Sequence, residues 1–222
     1  MAELHPLARS PIGVSAPRVV SAGWEISARH SIADLRLVDW TPCAKVVVRG
    51  RPEDFDRVRA LPRFGSSVAD YSGRIIAATG IDEWTIVGGP GSAASIIAEF
   101  SAESGADLIT IRDATHGYAM LRIVGGESAS VLAKLCAVDL RAGRLSNGSV
   151  IRTSIARVAA TVIRHDVQGN QAEHSDGTVT TQQSQLSYLT LCDRTAGQYM
   201  FDVISDAGSE YSIDIDGFVY VN

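Results

Sequence analysis

The sequence predicts an α+β fold in two related halves, and three observations carry that reading. A pattern repeats: Ala33-Asp34-Leu35, Asp39, Thr41, Ala44 and Gly50 return as Ala106-Asp107-Leu108, Asp113, Thr115, Ala119 and Gly125. The spacing of roughly seventy residues is too long for a solenoid and suits two copies of one small unit. Each copy runs strand, turn, strand, then a glycine that opens a helix. The chain has 222 residues, 45% apolar and 20% charged, the balance of an ordinary globular protein. Two such units must bury their sheet faces against each other or against a partner.

Residues 1–32 hold Pro6, Pro11 and Pro17 and show little periodicity. They read as an extended arm with a short strand near Val19 and Val20. The first repeat, 33–105, opens with strands at Leu35–Asp39 and Cys43–Arg49. In the second, Ala44, Val46 and Val48 face one side and Lys45 and Arg49 the other. Pro52, Glu53 and Asp54 suit a helix start. Phe55, Val58 and Leu61 give that helix a narrow stripe, and Pro62 stops it. Strands follow at Arg74–Thr79 and Glu83–Val87. A second helix is capped by Ser92, buries Ala93, Ile96, Ile97 and Phe100, and ends at Gly105.

The second repeat, 106–210, predicts strands at Leu108–Arg112 and Ala119–Val124, then a helix with Val131, Leu132, Leu135 and Cys136. Further strands fall at Val150–Ile155, Arg157–Arg164 and Leu186–Cys192. The last helix starts from an Asp193 cap and carries the stripe Ala196, Tyr199, Met200, Val203, Ile204, Ala207 before Gly208. The polar run 165–185 reads as a protruding hairpin or disordered loop, or as a partner contact. Residues 211–222 form an edge strand and tail.

A net charge of −5 gives no basic footprint for nucleic acid or an anionic membrane. Cys43, Cys136 and Cys192 are an odd, dispersed set in apolar stretches, which argues for buried, reduced thiols and a cytoplasmic location. No signal peptide is visible, and no apolar run approaches the roughly twenty residues that cross a bilayer. Asn147-Gly148-Ser149 satisfies the glycosylation pattern but reads as a turn.

Candidate chemistry is thin. Gly88-Gly89-Pro90-Gly91 before a helix invites phosphate, yet it lacks a following Lys-Ser/Thr, and Pro90 removes a donor. His5, His30, His116, His165 and His174 show no metal-ligand spacing. An Asp113–His116 hydrogen bond is one reading of that turn; an Asp–Thr turn is the other. No G-x-S-x-G marks a serine nucleophile. Asp54 with Glu53 and Asp82 with Glu83 are adjacent in sequence and read as solvated surface or a helix start. Arg152, Arg157 and Arg164 form either a partner-facing row or the exposed face of a strand. No catalytic, cofactor-binding or metal-binding residue is assigned.

Asp113-Ala114-Thr115-His116-Gly117-Tyr118-Ala119, with Leu121 and Gly125, resembles the D-x-S/T-H-G-R-A … L-x-G segment of the γ subunit of heterotetrameric sarcosine oxidase. Cys136-Ala137-Val138-Asp139-Leu140 looks like that family's C-x-x-D-L. Asn147-Gly148 with Arg152-Thr153-Ser154-Ile155-Ala156 is similar to its G-x-x-x-R-T-x-L-A. Arg194-Thr195-Ala196-Gly197-Gln198-Tyr199 resembles R-S-F-A-x-Y, and Gly80-Ile81-Asp82-Glu83-Trp84 resembles G-P-D-E-W. Tyr118 stands where the family often has Arg, and the 165–185 run is longer than usual. The match spans Gly80 to Glu210.

The resemblance implies the folate-binding-domain fold of the glycine-cleavage T-protein. That fold is a duplicated β-β-α-β-β-β-α unit in two pseudo-symmetric halves, with mostly antiparallel sheets and packed helices. It also implies a cofactor-free structural subunit whose main contact is an α subunit carrying the folate site and NAD. A β subunit would carry FAD and FMN, and a δ subunit zinc. Such a complex oxidises sarcosine to glycine, passes the one-carbon unit to tetrahydrofolate and makes hydrogen peroxide. A free-standing aminomethyltransferase would need G-G-x-x-D-D where this chain reads Ala156-Arg157-Val158-Ala159-Ala160-Thr161. A YgfZ-like folate protein would show K-G-C-Y-x-G-Q-E, which is absent. A folate-binding module with a central cavity is the remaining alternative.

Overall fold

The structure is a computed structural model and describes residues 6–55, 61–103, 109–168, 171–173, 179–181 and 184–220. The strands β1 (Ala8–Arg9), β2 (Arg18–Ser21) and β3 (Trp24–Ser27) make a small sheet in the order β1-β3-β2. The chain continues through β4 (Arg36–Asp39), β5 (Ala44–Arg49), β6 (Ser67–Ala69), β7 (Ile75–Gly80), β8 (Glu83–Gly88) and helix α1 (Ala93–Glu103). Next come β9 (Thr110–Asp113), β10 (Tyr118–Val124), helix α2 (Ser128–Ala133), β11 (Val150–Ile155) and β12 (Val158–Arg164). It closes with β13 (Gln171–Glu173), β14 (Val179–Thr181), β15 (Ser187–Asp193), helix α3 (Gly197–Gly208) and β16 (Asp214–Asp216).

Two sheets dominate. Sheet one runs β6-β7-β8-β5-β9 and sheet two runs β11-β12-β15-β10-β4-β16. Each half of the chain therefore gives its first strand to the other half's sheet. β4 pairs antiparallel with β10, and β9 pairs antiparallel with β5. Read from the exchanged strand, the two orders are β9-β5-β8-β7-β6 and β4-β10-β15-β12-β11.

The repeated Asp and Thr build the two crossing points. Asp39 Oδ1 accepts from the Thr41 amide at 2.9 Å, and Thr41 Oγ1 accepts from the Met120 amide at 3.1 Å. Asp113 Oδ1 accepts from the Thr115 amide at 2.8 Å, and Thr115 Oγ1 accepts from the Lys45 amide at 3.1 Å. As the chain turns from one sheet to the other, a neighbouring strand loses its backbone partner. A threonine hydroxyl then meets that buried donor's need.

Three apolar layers follow from side-chain alternation. Ala44, Val46, Val48, Trp84 and Ile86 pack under Ile96 and Phe100 of α1. Ala119, Leu121, Ile123, Tyr188 and Cys192 pack under Val131 and Leu132 of α2 and Met200 and Ile204 of α3. Between the sheets lie Val38, Trp40, Ile75, Ala77, Val87, Met120, Ile163, Leu189 and Leu191. Both faces of each sheet are thus covered, so β5 is buried at every position but Arg49. Lys45 lies on the side opposite Ala44, Val46 and Val48, as the alternation indicates, and that side meets the second sheet rather than solvent.

Other differences are local. Where a helix is expected from Pro52, the described residues form a 3-10 turn, Pro52–Asp54, followed by the buried Phe55; the rest of that expected helix, residues 56–60 with Val58, lies outside the described residues. So do Gly105, the predicted stop of α1, and Leu108. The helix α2 stops at Ala133, so Leu135 and Cys136 lie beyond it. On α3, Tyr199 is half exposed and Phe201 takes its place inside. The arm carries the strand expected near Val19 and Val20, β2, and is docked on the fold: Ile12 and Trp24 are buried, and the Gly13 amide donates to Gln198 Oε1 at 2.7 Å. Within 165–185, β13 and β14 form an antiparallel pair above a bridge between Val167 and Gln185. No helix among the described residues is long and apolar enough to cross a membrane.

Candidate functional site at the seam between the sheets

Two of the buried charged side chains among the described residues, Lys45 and Arg122, lie at the seam. Trp40, just past β4, sits at its centre because the Thr41 crossing turns it between the sheets. The Arg122 guanidinium lies 4.3 Å from the centre of the Trp40 ring. Its Nε donates to Ser187 Oγ at 3.0 Å, and its Nη2 to the His165 carbonyl at 3.2 Å. Burial is the main influence on this group and lowers its pKa to about 10. Burial also lowers the pKa of His165, and the nearby Arg122 charge adds to that. A cation here is held by dipoles and a π face rather than by a carboxylate.

Lys45 is fully buried in the seam beside the first crossing. Its ammonium donates to the Thr41 carbonyl at 2.7 Å and the Cys43 carbonyl at 2.9 Å. Burial lowers its pKa to about 8, against the pull of Cys43 and Asp39. The same burial raises Asp39 and pushes the Cys43 thiol up to about 12. Asp39 and Lys45 are thus tied to the backbone of the turn that carries Thr41 and Cys43.

The tail covers one mouth of the seam. Phe218 stands edge-on to Trp40 at 6.3 Å, and Tyr220 lies 5.9 Å from it. Tyr220 also packs on Gly89, where a Cβ would come within 3.1 Å of the ring. The Gly88-Gly89-Pro90-Gly91 loop thus receives the tail and starts α1. Ser92 does not cap with an acceptor; its hydroxyl donates to the Gly89 carbonyl at 2.7 Å. A groove of about 690 Å³ runs beside this contact, lined in part by Ser21, Arg74, Ser95 and Val219. Arg74 there is committed to Asp70 and Glu99.

The other sequence candidates are dispersed. His116 stacks on Trp24 at 4.9 Å and 15°, while Asp113 serves the Thr115 amide. Arg152 and Arg157 are exposed, but Arg164 folds back to pair with Asp166 at 2.7 Å and to donate to Leu145, so no single row forms. Glu83 pairs with Arg49 and Asp54 with Arg51. Cys43, Cys136 and Cys192 are free and buried. His5 and His174 lie outside the described residues. No group of three metal-ligating side chains gathers among the described residues. Sequence reasoning missed Trp40, Lys45 and Arg122 as a cluster. The available signal was a cation flanked by apolar residues in each of two strands, Lys45 in β5 and Arg122 in β10.

No family model matches the sequence, and no curated protein matches it. Solved structures do share the fold. A chain of the heterotetrameric sarcosine oxidase from Corynebacterium sp. U-96, solved with pyrrole 2-carboxylate, aligns with a TM-score of 0.64 at 18% identity, over 88% of this chain and 92% of that one. The glycine cleavage system aminomethyltransferase T from Bartonella henselae aligns with a TM-score of 0.68 at 14% identity, over 95% of this chain. This chain spans 60% of that protein's chain. The fold is therefore that of the aminomethyltransferase T group, mixed α+β and mostly sheet.

Proposed function

We propose that this chain is a non-catalytic, γ-type subunit of a sarcosine-oxidase-like flavoenzyme complex in the cytoplasm. The observation that carries the reading is the coverage of the sarcosine oxidase match. Nearly the whole of this chain aligns with nearly the whole of one chain of a heterotetramer. The five ordered sequence motifs support the same assignment. We infer as well that the two sheets are copies of one unit, since their strand orders agree and their Asp–Thr crossings share one bonding pattern. In this reading an α subunit with NAD and the tetrahydrofolate site is the main contact. A β subunit with FAD and FMN and a δ subunit with zinc complete the complex, which converts sarcosine to glycine and hydrogen peroxide.

The folate-binding alternative needs room in the middle of the fold. Trp40, Met120, Leu189 and Leu191 pack there, and the rings of Phe218 and Tyr220 close the mouth. Co-expression with its genomic neighbours tests the proposal. The expected result is a stable four-protein assembly that oxidises sarcosine, with no oxidase activity in the isolated chain. A monodisperse chain that never copurifies with a flavoprotein would refute it. Tetrahydrofolate binding to the isolated chain by calorimetry would favour the alternative.

A further inference from the structure

The two exchanged strands differ in one respect: β4 has a neighbour on its outer side and β9 has none among the described residues. On β4 that neighbour is β16, which runs parallel with Asp214, Ile215 and Asp216 beside Arg36, Leu37 and Val38. The tail strand uses the outward backbone of β4, as the Asp214 amide donating to the Leu35 carbonyl at 3.0 Å shows. Its two acids answer cations at that edge. Asp214 pairs with Arg29 at 2.6 Å, and Asp216 lies 3.6 Å from Arg36.

The geometry of β9 can be read from its pairing with β5. The Ala114 amide donates to the Lys45 carbonyl, and Arg112 stands opposite Val47, so Ala114 and Arg112 direct their backbone inward. Antiparallel pairing alternates, which turns the N–H and C=O of Ile111 and Asp113 outward. Around this edge Thr110, Arg112 and Asp113 are exposed and Ile111 is half-buried against the α1 layer. A groove of about 430 Å³ lies alongside, lined by Arg112, His116 and Tyr118 among others. Both carboxylates in it are turned to their own amides: Asp113 to Thr115, and Asp193 to Thr195. A bare edge with outward donors and acceptors is a template for an added strand.

We propose that the outer edge of β9 takes an extended segment of another polypeptide, parallel to it, with an apolar residue beside Ile111 and an acidic residue beside Arg112. This deepens the subunit reading, because it names where a partner chain docks. The register comes from the counterpart edge. There Ile215 stands beside Leu37 and Asp216 beside Val38, positions that correspond to Ile111 and Arg112 on β9. The acidic preference comes from Arg112, exposed at the groove with no ion pair among the described residues.

The test uses the full chain and a synthetic peptide with the chain's own 212–218 sequence, Ser-Ile-Asp-Ile-Asp-Gly-Phe, as the stand-in strand. Amide exchange is followed residue by residue by NMR. In the dilute free chain, Arg112 and Ala114 should exchange slowly, and Ile111 and Asp113 fast. Peptide at millimolar concentration should slow Ile111 and Asp113 by about fivefold or more. Arg112→Glu should weaken this by about tenfold, and a peptide with Lys in place of its second Asp should restore it. Edge amides already slow in the dilute free chain would overturn the proposal. So would amides that saturating peptide leaves unchanged. Protection that rises with chain concentration alone would give the edge to a second copy, and so overturn it too. None of these readouts involves a flavoprotein, so their failure leaves the subunit reading to its copurification test.

Discussion

Replacing Lys45 by methionine should change how stability depends on pH, in a direction the burial of that side chain dictates. The ammonium has no solvent exposure, and its pKa falls from 10.5 to about 8. The unfolded chain keeps its proton to the ordinary lysine range, so between about pH 8 and 10.5 it binds more protons than the folded one. Stability contributed by this group therefore rises with pH across that window. The difference of roughly 2.5 pK units, at 1.36 kcal/mol each, sets the full swing at about 3 kcal/mol. Hydrogen bonds to the Thr41 and Cys43 carbonyls favour the charged form and make this an upper figure.

Two thiols act with the opposite sign. Burial raises Cys43 to about 12 and Cys192 to about 11, so the unfolded chain ionises them first and stability falls above their ordinary pKa. Both remain in Lys45→Met, and subtracting the variant's stability from the wild type's removes most of their effect. Urea unfolding followed by far-UV circular dichroism at about pH 7, 8.5 and 10 gives the quantity needed. The wild type should gain on the variant by about 2–3 kcal/mol from the lowest to the highest pH. A constant difference, or one that shrinks as pH rises, would refute the argument that Lys45 is held charged at a desolvation cost.

Gly125→Ala should cost about 3 kcal/mol or more, since φ is 132° and the new Cβ would stand 2.2 Å from the Asp34 carbonyl oxygen; urea midpoints measure it. Gly50→Ala, at the repeated position, meets only side-chain atoms of Ile109 and Phe55 at 3.0 Å and should cost about 1 kcal/mol by the same assay. Thr115→Val leaves the buried Lys45 amide without its hydroxyl acceptor, and Thr41→Val does the same to Met120. Each should lower equilibrium stability by about 1–3 kcal/mol. A thiol reagent should label none of Cys43, Cys136 and Cys192 rapidly in the folded chain and all three in urea.

Local patterns were legible where one side-chain period settles the element. The helix α1 shows its stripe, and the apolar runs of β10 and β15 fall within a residue or two of their predicted bounds. In the arm the strand near Val19 and Val20 was legible and is β2, whereas β1 and β3, of two and four residues, are too short to show a period. The strand exchange was hidden for a different reason. Pairing partners are chosen by backbone hydrogen bonds, and those leave no mark on side-chain alternation. Asp39 with Thr41 and Asp113 with Thr115 carried the one trace of it, since each hydroxyl is placed to serve a strand of the other half.

The seam shows where period alone misleads. Alternation states that Lys45 lies opposite Val46, and that is correct. It does not state whether the opposite side is water or a second core. A lysine on a solvated face would be unremarkable, so alternation by itself does not mark Lys45 as buried. Yet Arg122 occupies the corresponding kind of position in β10, a single cation in an otherwise apolar strand. One such residue in one strand is compatible with a half-solvated sheet. In both strands the neighbours on the cation's own side are apolar: Val47 beside Lys45, and Met120 and Val124 beside Arg122. A solvated face would alternate to polar residues there, so the apolar neighbours, rather than the cations, mark the second buried face.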